Sequence, residues 1–216
     1  MAVSLLFILS VVVIFAGSRL YSQYREQVIR TEESQLLTMA GIVGNNLNSY
    51  MEQQLEEIDL FYSREGMPEN VWAESGGINA RTAYFLKNNA GVYNWITVTE
   101  PDGTKFRYEP GKKTFRESAD GEVKAVTSQD GNHPAEITGK EISDQTGWYE
   151  LYIEKNVPVG SEVYMLTFAM DLGALYEKIV APVKIGEAGY SSVKDQNMNI
   201  IMHHVKNQIG LKAVDG

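Results

Sequence analysis

Aromatic, cationic and acidic side chains recur along the short apolar stretches of the chain, where they could line a pocket for a small charged molecule. The candidates are Tyr93, Trp95, Phe106, Tyr108, Phe115, Arg116, Trp148 and Asp171. In such a pocket aromatic rings supply contact area, while one cation and one carboxylate hold a charged or zwitterionic ligand. Each candidate also has a structural alternative, because aromatic residues on strands often belong to the core and an aspartate often caps a helix.

Patterns for metal binding and catalysis are weak in this sequence. The run Asp195-Gln-Asn-Met-Asn199 begins like a calcium loop, but Ile200 replaces the glycine and Lys206 the bidentate glutamate that such a loop requires. His203 and His204 are adjacent, so on a strand they would face opposite sides. Cysteine is absent, and no serine-hydrolase, zinc-protease or nucleotide-binding motif occurs. We therefore predict a hairpin turn in this run, no metal site, no cofactor and no catalytic residue.

The overall composition is that of a folded protein. Of the 216 residues, 44% are hydrophobic and 22% charged, so a core of normal size is expected. The formal net charge of −9 disfavours nucleic acid as a partner, because the average surface field repels polyanions. The length suits one domain with an anchor, or one domain and the start of another. Export is compatible with the lack of cysteine, since a domain of this size can fold without disulfides.

The N-terminal stretch Ala2 to Gly17 contains no charge and predicts a transmembrane helix, because a bilayer requires roughly 20 apolar residues. A cleavable signal peptide is the alternative, since small residues follow the apolar run. Only Met1 precedes that run, however, and a signal peptide has a basic segment there. The nearest positive charge, Arg19, follows the span, opposite to the usual bias for an exported C-terminal part. We therefore expect that the natural chain begins further upstream.

The following stretch, Ser18 to Tyr62, predicts one long amphipathic helix. It contains no proline, and from Leu36 onward its apolar residues recur every three or four positions. At ~1.5 Å per residue, such a helix would be on the order of 65 Å long. We expect it to act as a stalk that pairs with a second copy of the chain in a homodimer. A long helix that flanks a domain without pairing is the alternative.

Beyond Arg64, short apolar runs separated by turn residues predict an antiparallel sheet. The predicted strands are 92–99, 105–108, 148–153, 163–170, 190–195 and 200–203, with a turn at 158–161. The predicted helices are 79–88, a short one at 114–119, and 171–180 with Asp171 as its N-cap. The polar stretch 120–138 is predicted to be a loop. The last two strands either begin a second domain or extend the first sheet.

This order of elements resembles the Cache family of extracytoplasmic sensors, most closely the double-Cache kind, from about Gln35 to Gly216. The most specific stretches are VYMLTFAMDLGALYEKI, similar to the closing strand and linker helix of the membrane-distal module, and GEAGYSSVKDQNMNIIMHH, similar to the opening hairpin of the membrane-proximal one. The segment TFRESA is a looser match to the tryptophan-phenylalanine-arginine segment beside the family's pocket, with Thr114 in place of the first aromatic residue.

The resemblance implies an α+β fold with an N-terminal transmembrane helix (1–17), a stalk helix (18–62), a PAS-like antiparallel sheet with flanking helices (63–180) and the start of a second module (181–216). It implies a bacterial receptor that is anchored in the cell membrane and binds an amino acid, a carboxylate or an amine outside the cytoplasm, near Arg116 and Asp171. The output would be a histidine kinase, a diguanylate cyclase or a chemotaxis domain, reached through another transmembrane helix beyond Gly216.

Two other functions stay open. A pilin-like structural subunit also places an apolar helix before a β-rich domain, but it carries a glutamate early in that helix and a processing site before it, and this sequence has neither. An anchored extracellular hydrolase would use paired carboxylates, and the candidates are Glu141, Asp144, Glu150 and Glu154. No pair among these stands out, so we expect this part of the protein to catalyse nothing.

Overall fold

The computed structural model describes residues 2–63, 77–112, 115–117, 133–184 and 189–213, and leaves the side chains of 2–13 and 115–117 undescribed. The chain divides into two compact units, Met1–Asn45 and Asn46–Gly216. Within the described ranges, no helix is both long enough and apolar enough to cross a membrane. The transmembrane helix was expected at residues 1–17, and most of the side chains of this range lie outside the described part of the chain.

A single helix, α1 (Ala2–Tyr62), runs through the first unit and into the second. It confirms the long helix predicted for Ser18 to Tyr62, and it contains no proline that would interrupt its backbone hydrogen bonds. Its exposed apolar residues within the first unit are Ile14, Phe15, Leu20, Tyr21, Tyr24, Ile29, Leu36, Leu37, Met39 and Ile42.

The second unit is built on a six-stranded antiparallel sheet. Its strands are β1 (Tyr93–Thr99), β2 (Lys105–Tyr108), β3 (Phe115–Glu117), β4 (Glu136–Ile142), β5 (Tyr149–Val159) and β6 (Glu162–Asp171). They lie in the order β3-β2-β1-β6-β5-β4. The β5–β6 hairpin pairs continuously from Glu150 opposite Asp171 to Val159 opposite Glu162. The antiparallel sheet and its two hairpins, β1–β2 and β5–β6, are thus confirmed.

One face of this sheet, the inner face, is covered by residues 46–62 of α1 and by α2 (Gly77–Asn88). The strand residues of this core are Tyr93, Ile96, Val98, Tyr108, Ile153, Val157, Leu166, Phe168 and Met170. Phe168 lies among three aromatic rings, those of Tyr62, Phe85 and Tyr93, at 5.7 to 5.8 Å between centroids. Because successive strand residues point to opposite faces, the intervening residues turn away from the helices.

Polar contacts also attach α1 to the sheet and to α2. The ammonium group of Lys155 is buried on β5 and lies 2.9 Å from the carboxylate of Asp59 on α1. The same carboxylate accepts a hydrogen bond from the backbone N–H of Ala135. Arg81 of α2 donates to the carbonyl of Phe61, one of the final carbonyls of α1 that have no partner within the helix. These contacts fix the C-terminal end of α1 against the sheet.

One predicted element has the wrong type and one predicted boundary is wrong, and both concern edge strands of the sheet. The predicted helix 114–119 is the strand β3, in which Phe115 pairs with Arg107 of β2. The predicted loop 120–138 ends inside β4, whose residues are almost all exposed, including Ile137 and Ile142, so that no buried apolar face marks this strand. The rest of that loop, up to residue 132, lies outside the described residues.

The turn predicted at 158–161 is confirmed at Gly160 and Ser161, while β5 extends through Pro158 and Val159. The pairing of β5 with β4 ends at Glu154, and beyond that point no described strand pairs with this edge of β5. A proline there loses no ladder hydrogen bond.

The segment after β6 confirms the predicted N-cap. The carboxylate of Asp171 accepts a hydrogen bond from the Gly173 backbone N–H at 2.8 Å and begins α3 (Leu172–Leu175). The helix then continues as a π-helical turn (Tyr176–Val180), which the sequence did not predict.

The C-terminal strands β7 (Val193–Lys194) and β8 (Ile200–Met202) pair in a separate two-stranded sheet and do not extend the first one. The predicted turn between them is confirmed, since Asp195 accepts hydrogen bonds from the backbone N–H groups of Asn197 and Asn199. Asp195 also pairs with Lys140 of β4, and this contact holds the pKa of the aspartate well below its usual range.

The covering helix should be required for stability of the sheet. Ile58 of α1 is completely buried, whereas Leu60, two residues later, is exposed on the other side of the helix. We expect Ile58→Ala to lower the free energy of unfolding of the intact chain by about 2–5 kcal/mol, because it leaves a cavity in the core. The matched variant Leu60→Ala should change it by less than about 0.5 kcal/mol. Urea unfolding followed by circular dichroism measures both, and equal effects of the two substitutions would contradict this packing.

Candidate ligand-binding site

The face of the sheet opposite the helices, here called the outer face, carries polar and aromatic side chains. Ala169 of β6 lies between two aromatic residues, because it pairs with Trp95 on β1 and with Tyr152 on β5. The two rings lie 5.6 Å apart across this small residue. One row further along the same face, Glu150 of β5 lies opposite Asp171 of β6. The outer face therefore brings two aromatic rings and two carboxylates together.

A β-bulge in β1 places Trp95 on this face. The register of β1 against β6 shifts between Tyr93 and Trp95, so one extra residue, Asn94, is inserted there. As a result Tyr93 points into the core, while Asn94 and Trp95 both reach Glu150 on the outer face.

Glu150 is the best-supported side chain of the site. It is 5% exposed, and each of its oxygens accepts a hydrogen bond, one from the Asn94 amide at 2.7 Å and one from the Trp95 indole N–H at 3.2 Å. These bonds compensate part of the cost of burying a carboxylate. They also fix the orientation of the indole ring.

Asp171 has a different environment, although it lies directly opposite Glu150. It is half-buried, and its carboxylate accepts hydrogen bonds from the first backbone N–H groups of α3. Burial raises the pKa of Asp171, and the negative charge of Glu150 raises it further, while the bond from Gly173 and the charge of Lys206 lower it. The net effect is upward, so burial and the neighbouring carboxylate outweigh the groups that stabilise the charged form.

Trp148 packs against α3, the helix that Asp171 caps. Its ring is buried against Tyr176, with 5.2 Å between centroids, and lies directly beneath Gly173. A Cβ atom at Gly173 would approach the indole to 2.6 Å, which is closer than atoms can pack. Trp148 and Gly173 therefore set how closely α3 lies on the sheet, and with it the position of Asp171.

Two more outer-face side chains complete the surroundings. Arg107 of β2 places its guanidinium carbon 4.3 Å from the centre of the Trp95 ring. The hydroxyl of Tyr152 donates to Glu141 of β4 at 3.0 Å, and burial together with this bond raises the pKa of Tyr152 to about 12. Tyr152 is therefore a neutral donor at physiological pH.

The structure divides the residues that the sequence singled out. Trp95 and Asp171 lie on the outer face, and Trp148 packs against α3, the helix that Asp171 caps. Tyr93, Phe106 and Tyr108 pack on the inner face instead.

The two inner-face tyrosines hydrogen-bond to helix side chains: the Tyr93 hydroxyl donates to Gln54 at 3.1 Å, and that of Tyr108 to Asn79 at 2.6 Å. Burial raises the pKa of both tyrosines. Phe115 and Arg116 lie on β3, but their side chains are outside the described part of the chain.

Asn94, Arg107 and Tyr152 were missed by the sequence analysis, and Glu150 appeared there only among carboxylates for a hydrolase. Arg107 could have been found from strand alternation, since it lies between the inner-face residues Phe106 and Tyr108. Asn94 had no such signal, because the bulge is not visible in the sequence. Among the described residues, no three His, Asp or Glu side chains come together as a metal site.

Comparison with known proteins identifies the fold. The sequence matches no known family model and no curated protein. The structure is similar to a domain of a sensory box/GGDEF family protein from Vibrio parahaemolyticus, with a TM-score of 0.57 and 15% identity over 83% of this chain and 74% of that one. It is also similar to a domain described as the extracellular domain of a histidine kinase, with a TM-score of 0.58 and 14% identity over 84% and 73% of the two chains.

A third similar structure is the ligand-binding domain of the Pseudomonas aeruginosa PAO1 amino acid chemoreceptor PctB in complex with L-Gln. Here the TM-score is 0.50, with 16% identity over 81% of this chain and 69% of that one. At such low identity the likeness concerns the fold. The chain thus has the α+β fold, a long helix and an antiparallel sheet, that is found in ligand-binding domains of bacterial sensory proteins.

Proposed function

We propose that this chain is the extracytoplasmic sensor part of a transmembrane receptor, and that it binds a small molecule carrying an amine on the outer face of its sheet. The shared fold supports the class of protein, since the similar structures include an extracellular domain and an amino acid chemoreceptor. The observation that carries the proposal for this chain is the position of Asp171 and Glu150 beside the rings of Trp95 and Tyr152.

The electrostatics of this position favour a cation. Glu150 already uses both oxygens for hydrogen bonds, and neither donor, an amide or an indole N–H, carries a charge. The raised pKa of Asp171 means that the site stabilises its charged form poorly. A ligand ammonium would supply the missing positive charge and up to three N–H donors. The adjacent rings of Trp95 and Tyr152 would add cation–π attraction.

The same carboxylate is suited to passing a binding event to α1. Asp171 begins α3, and the π-helical turn that follows α3 contacts α1 through Lys178, whose ammonium lies 4.5 Å from the Tyr50 ring. π-helical turns often occur at functional positions of helices. A ligand that draws Asp171 toward it would shift α3 and so change this contact. Displacements of an ångström or two are enough to bias a two-state output if the ligand prefers one state.

The wider architecture is part of the same proposal. We propose that the uncharged stretch Ala2 to Gly17 anchors the chain, that α1 pairs with a second copy in a homodimer, and that residues 181–216 begin a second Cache-like module. The lack of charge in that stretch supports the anchor, and the exposed apolar residues of α1 support the pairing. The separate sheet of β7 and β8 supports the second module. The output domain would be a histidine kinase, a diguanylate cyclase or a chemotaxis domain.

A substitution that removes the charge of Asp171 but keeps its size tests the amine site. Asparagine is as good an N-cap as aspartate, so Asp171→Asn should keep α3 while removing the negative charge. We expect that some amines or amino acids raise the melting temperature of the wild-type chain, and that Asp171→Asn binds them at least tenfold more weakly by calorimetry, since a charge-assisted hydrogen bond contributes about 1.5–3 kcal/mol.

The control for this experiment is Glu136→Gln, which removes an exposed carboxylate from the edge strand β4 and should bind as the wild type does. The proposed function would be refuted if no amine or amino acid stabilised the wild type at millimolar concentration, or if Asp171→Asn bound it unchanged.

The raised pKa of Asp171 predicts how binding depends on pH. Only the ionised carboxylate attracts an ammonium ion, so affinity should fall as the pH is lowered through the pKa of Asp171. Because burial raises that pKa, the loss should begin at a higher pH than for an ordinary aspartate, whose pKa is about 3.9. Calorimetric titrations between about pH 7 and pH 4 would show this decline in the wild type and a weaker one in Asp171→Asn. Affinity that stays constant over this range would speak against an ionised Asp171 in the complex.

A further inference from the structure

Two histidines lie side by side just beyond the end of β8. The strand ends at Met202, so His203 and His204 do not alternate between its two faces, as adjacent residues on a strand would. Their rings lie 4.6 Å apart between centroids and are inclined to each other by 33°. The expectation from the sequence that these side chains face opposite sides is therefore wrong, and the two rings can approach one ion.

His203 is held by the backbone two residues further along the chain. Its side chain is buried, and its Nδ1 atom lies 3.0 Å from the backbone nitrogen of Val205 and 3.2 Å from the carbonyl oxygen of the same residue. In one neutral tautomer Nδ1 accepts a hydrogen bond from that N–H, and in the other it donates one to that carbonyl. Because Val205 serves both tautomers, the ring can change tautomer without turning.

The other nitrogen of His203, Nε2, is left for a further contact. It makes no hydrogen bond within the described residues, and it is not fully enclosed by them. A histidine that binds a metal through one nitrogen typically donates the N–H of the other to a backbone carbonyl or a carboxylate, which fixes the ring. The contact of Nδ1 with the Val205 carbonyl is of this kind, so His203 is already oriented for binding through Nε2.

Tyr190 packs against both rings and restricts the second histidine. Its ring centroid lies 3.9 Å from that of His204 and 4.8 Å from that of His203. Tyr190 and His204 are both exposed, so the cluster is open to solvent. Side chains that are already ordered by such packing lose less rotamer freedom when they bind a ligand.

The spacing of the two imidazoles suits a transition-metal ion. Since an imidazole nitrogen binds such an ion at about 2.0–2.1 Å, two imidazoles that share one ion would have centroids about 4.5–5.2 Å apart, from a right angle to a tetrahedral angle. The observed 4.6 Å lies at the right-angled end, which corresponds to the square-planar coordination of copper(II) and nickel(II). Calcium and magnesium prefer oxygen ligands, so this pair does not suit them.

We propose that His203 and His204 bind one first-row transition-metal ion, such as Cu²⁺, Ni²⁺ or Zn²⁺, through one nitrogen of each ring, with water completing its coordination. The site has two protein ligands, and no group of three His, Asp or Glu side chains occurs among the described residues. We therefore expect micromolar affinity and an ion that exchanges with the medium. This site is separate from the outer face of the main sheet and does not depend on the proposed function.

The experiment titrates the full chain, prepared without added histidines, with each ion alone by calorimetry. At about pH 7.5 the imidazole is mostly neutral, because its ordinary pKa is about 6.5. We expect one ion to bind per chain, with Cu²⁺ bound more tightly than Ni²⁺ or Zn²⁺, and neither Mg²⁺ nor Ca²⁺ to bind at the same concentrations. The chain has three histidines and no cysteine, so His133→Gln is the matched control and should bind Cu²⁺ as the wild type does.

Two variants test the ligands one at a time. His204→Phe keeps an aromatic ring against Tyr190 but removes both nitrogens, and it should weaken Cu²⁺ binding by at least about tenfold. His203→Gln should weaken it similarly, although it also removes the buried ring. Electron paramagnetic resonance of bound Cu²⁺ should show two imidazole nitrogens in the wild type and one in His204→Phe.

Three results would overturn the proposal. The first is a His204→Phe variant that binds Cu²⁺ as tightly as the wild type, and the second is a His133→Gln variant that loses the binding. The third is a wild type that binds none of the three ions, or whose Cu²⁺ spectrum shows a single imidazole nitrogen, because the rings would then only stack on each other. None of these results bears on the amine site, whose test uses no metal.

Discussion

The structure depends on the burial of one face of an antiparallel sheet under two helices. Residues 46–62 of α1 and all of α2 cover the inner face, and the core around Phe168 gives each strand a fixed orientation. Because side chains alternate along a strand, this burial forces Trp95, Arg107 and Tyr152 to the other side. The polar character of the outer face follows from that constraint. The site thus exists because α1 and α2 cover the inner face and leave polar and aromatic side chains on the outer one.

The fold could be predicted from the sequence better than the site, because strand alternation and helix caps are local patterns, whereas the site depends on contacts between residues distant in the chain. Apolar alternation marked the central strands, and the cap at Asp171 marked α3. Alternation also suggested that Tyr93 and Trp95 share a face, but the bulge at Asn94 separates them. The edge strand β4 buries little and carries no periodic signal. Glu150 could not be selected from the many acidic residues, because its partners, Asn94 and Trp95, are distant in the chain.

Asp171 combines a structural and an electrostatic role at the end of β6. It ends a central strand, caps α3, and faces a second carboxylate across the sheet. Trp148 and Gly173 hold α3 close, and the π-helical turn that follows reaches α1 at Tyr50. A charged ligand group bound at Asp171 would therefore act on the first turn of α3, and the π-helical turn that follows α3 contacts α1. The fold shared with extracellular sensor and chemoreceptor domains gives this arrangement a functional context.

The central claim is that a ligand lies on the outer face against Trp95. The most direct test follows the indole N–H signals of the ¹⁵N-labelled chain by NMR while amino acids are added, with Trp95→Phe assigning the Trp95 signal. We expect the Trp95 signal to shift with saturation, because its N–H bond to Glu150 lies beside the bound ammonium, while the amide of the buried core residue Ile58 changes far less. Saturable shifts that spare Trp95 and appear instead around the inner-face core would contradict it.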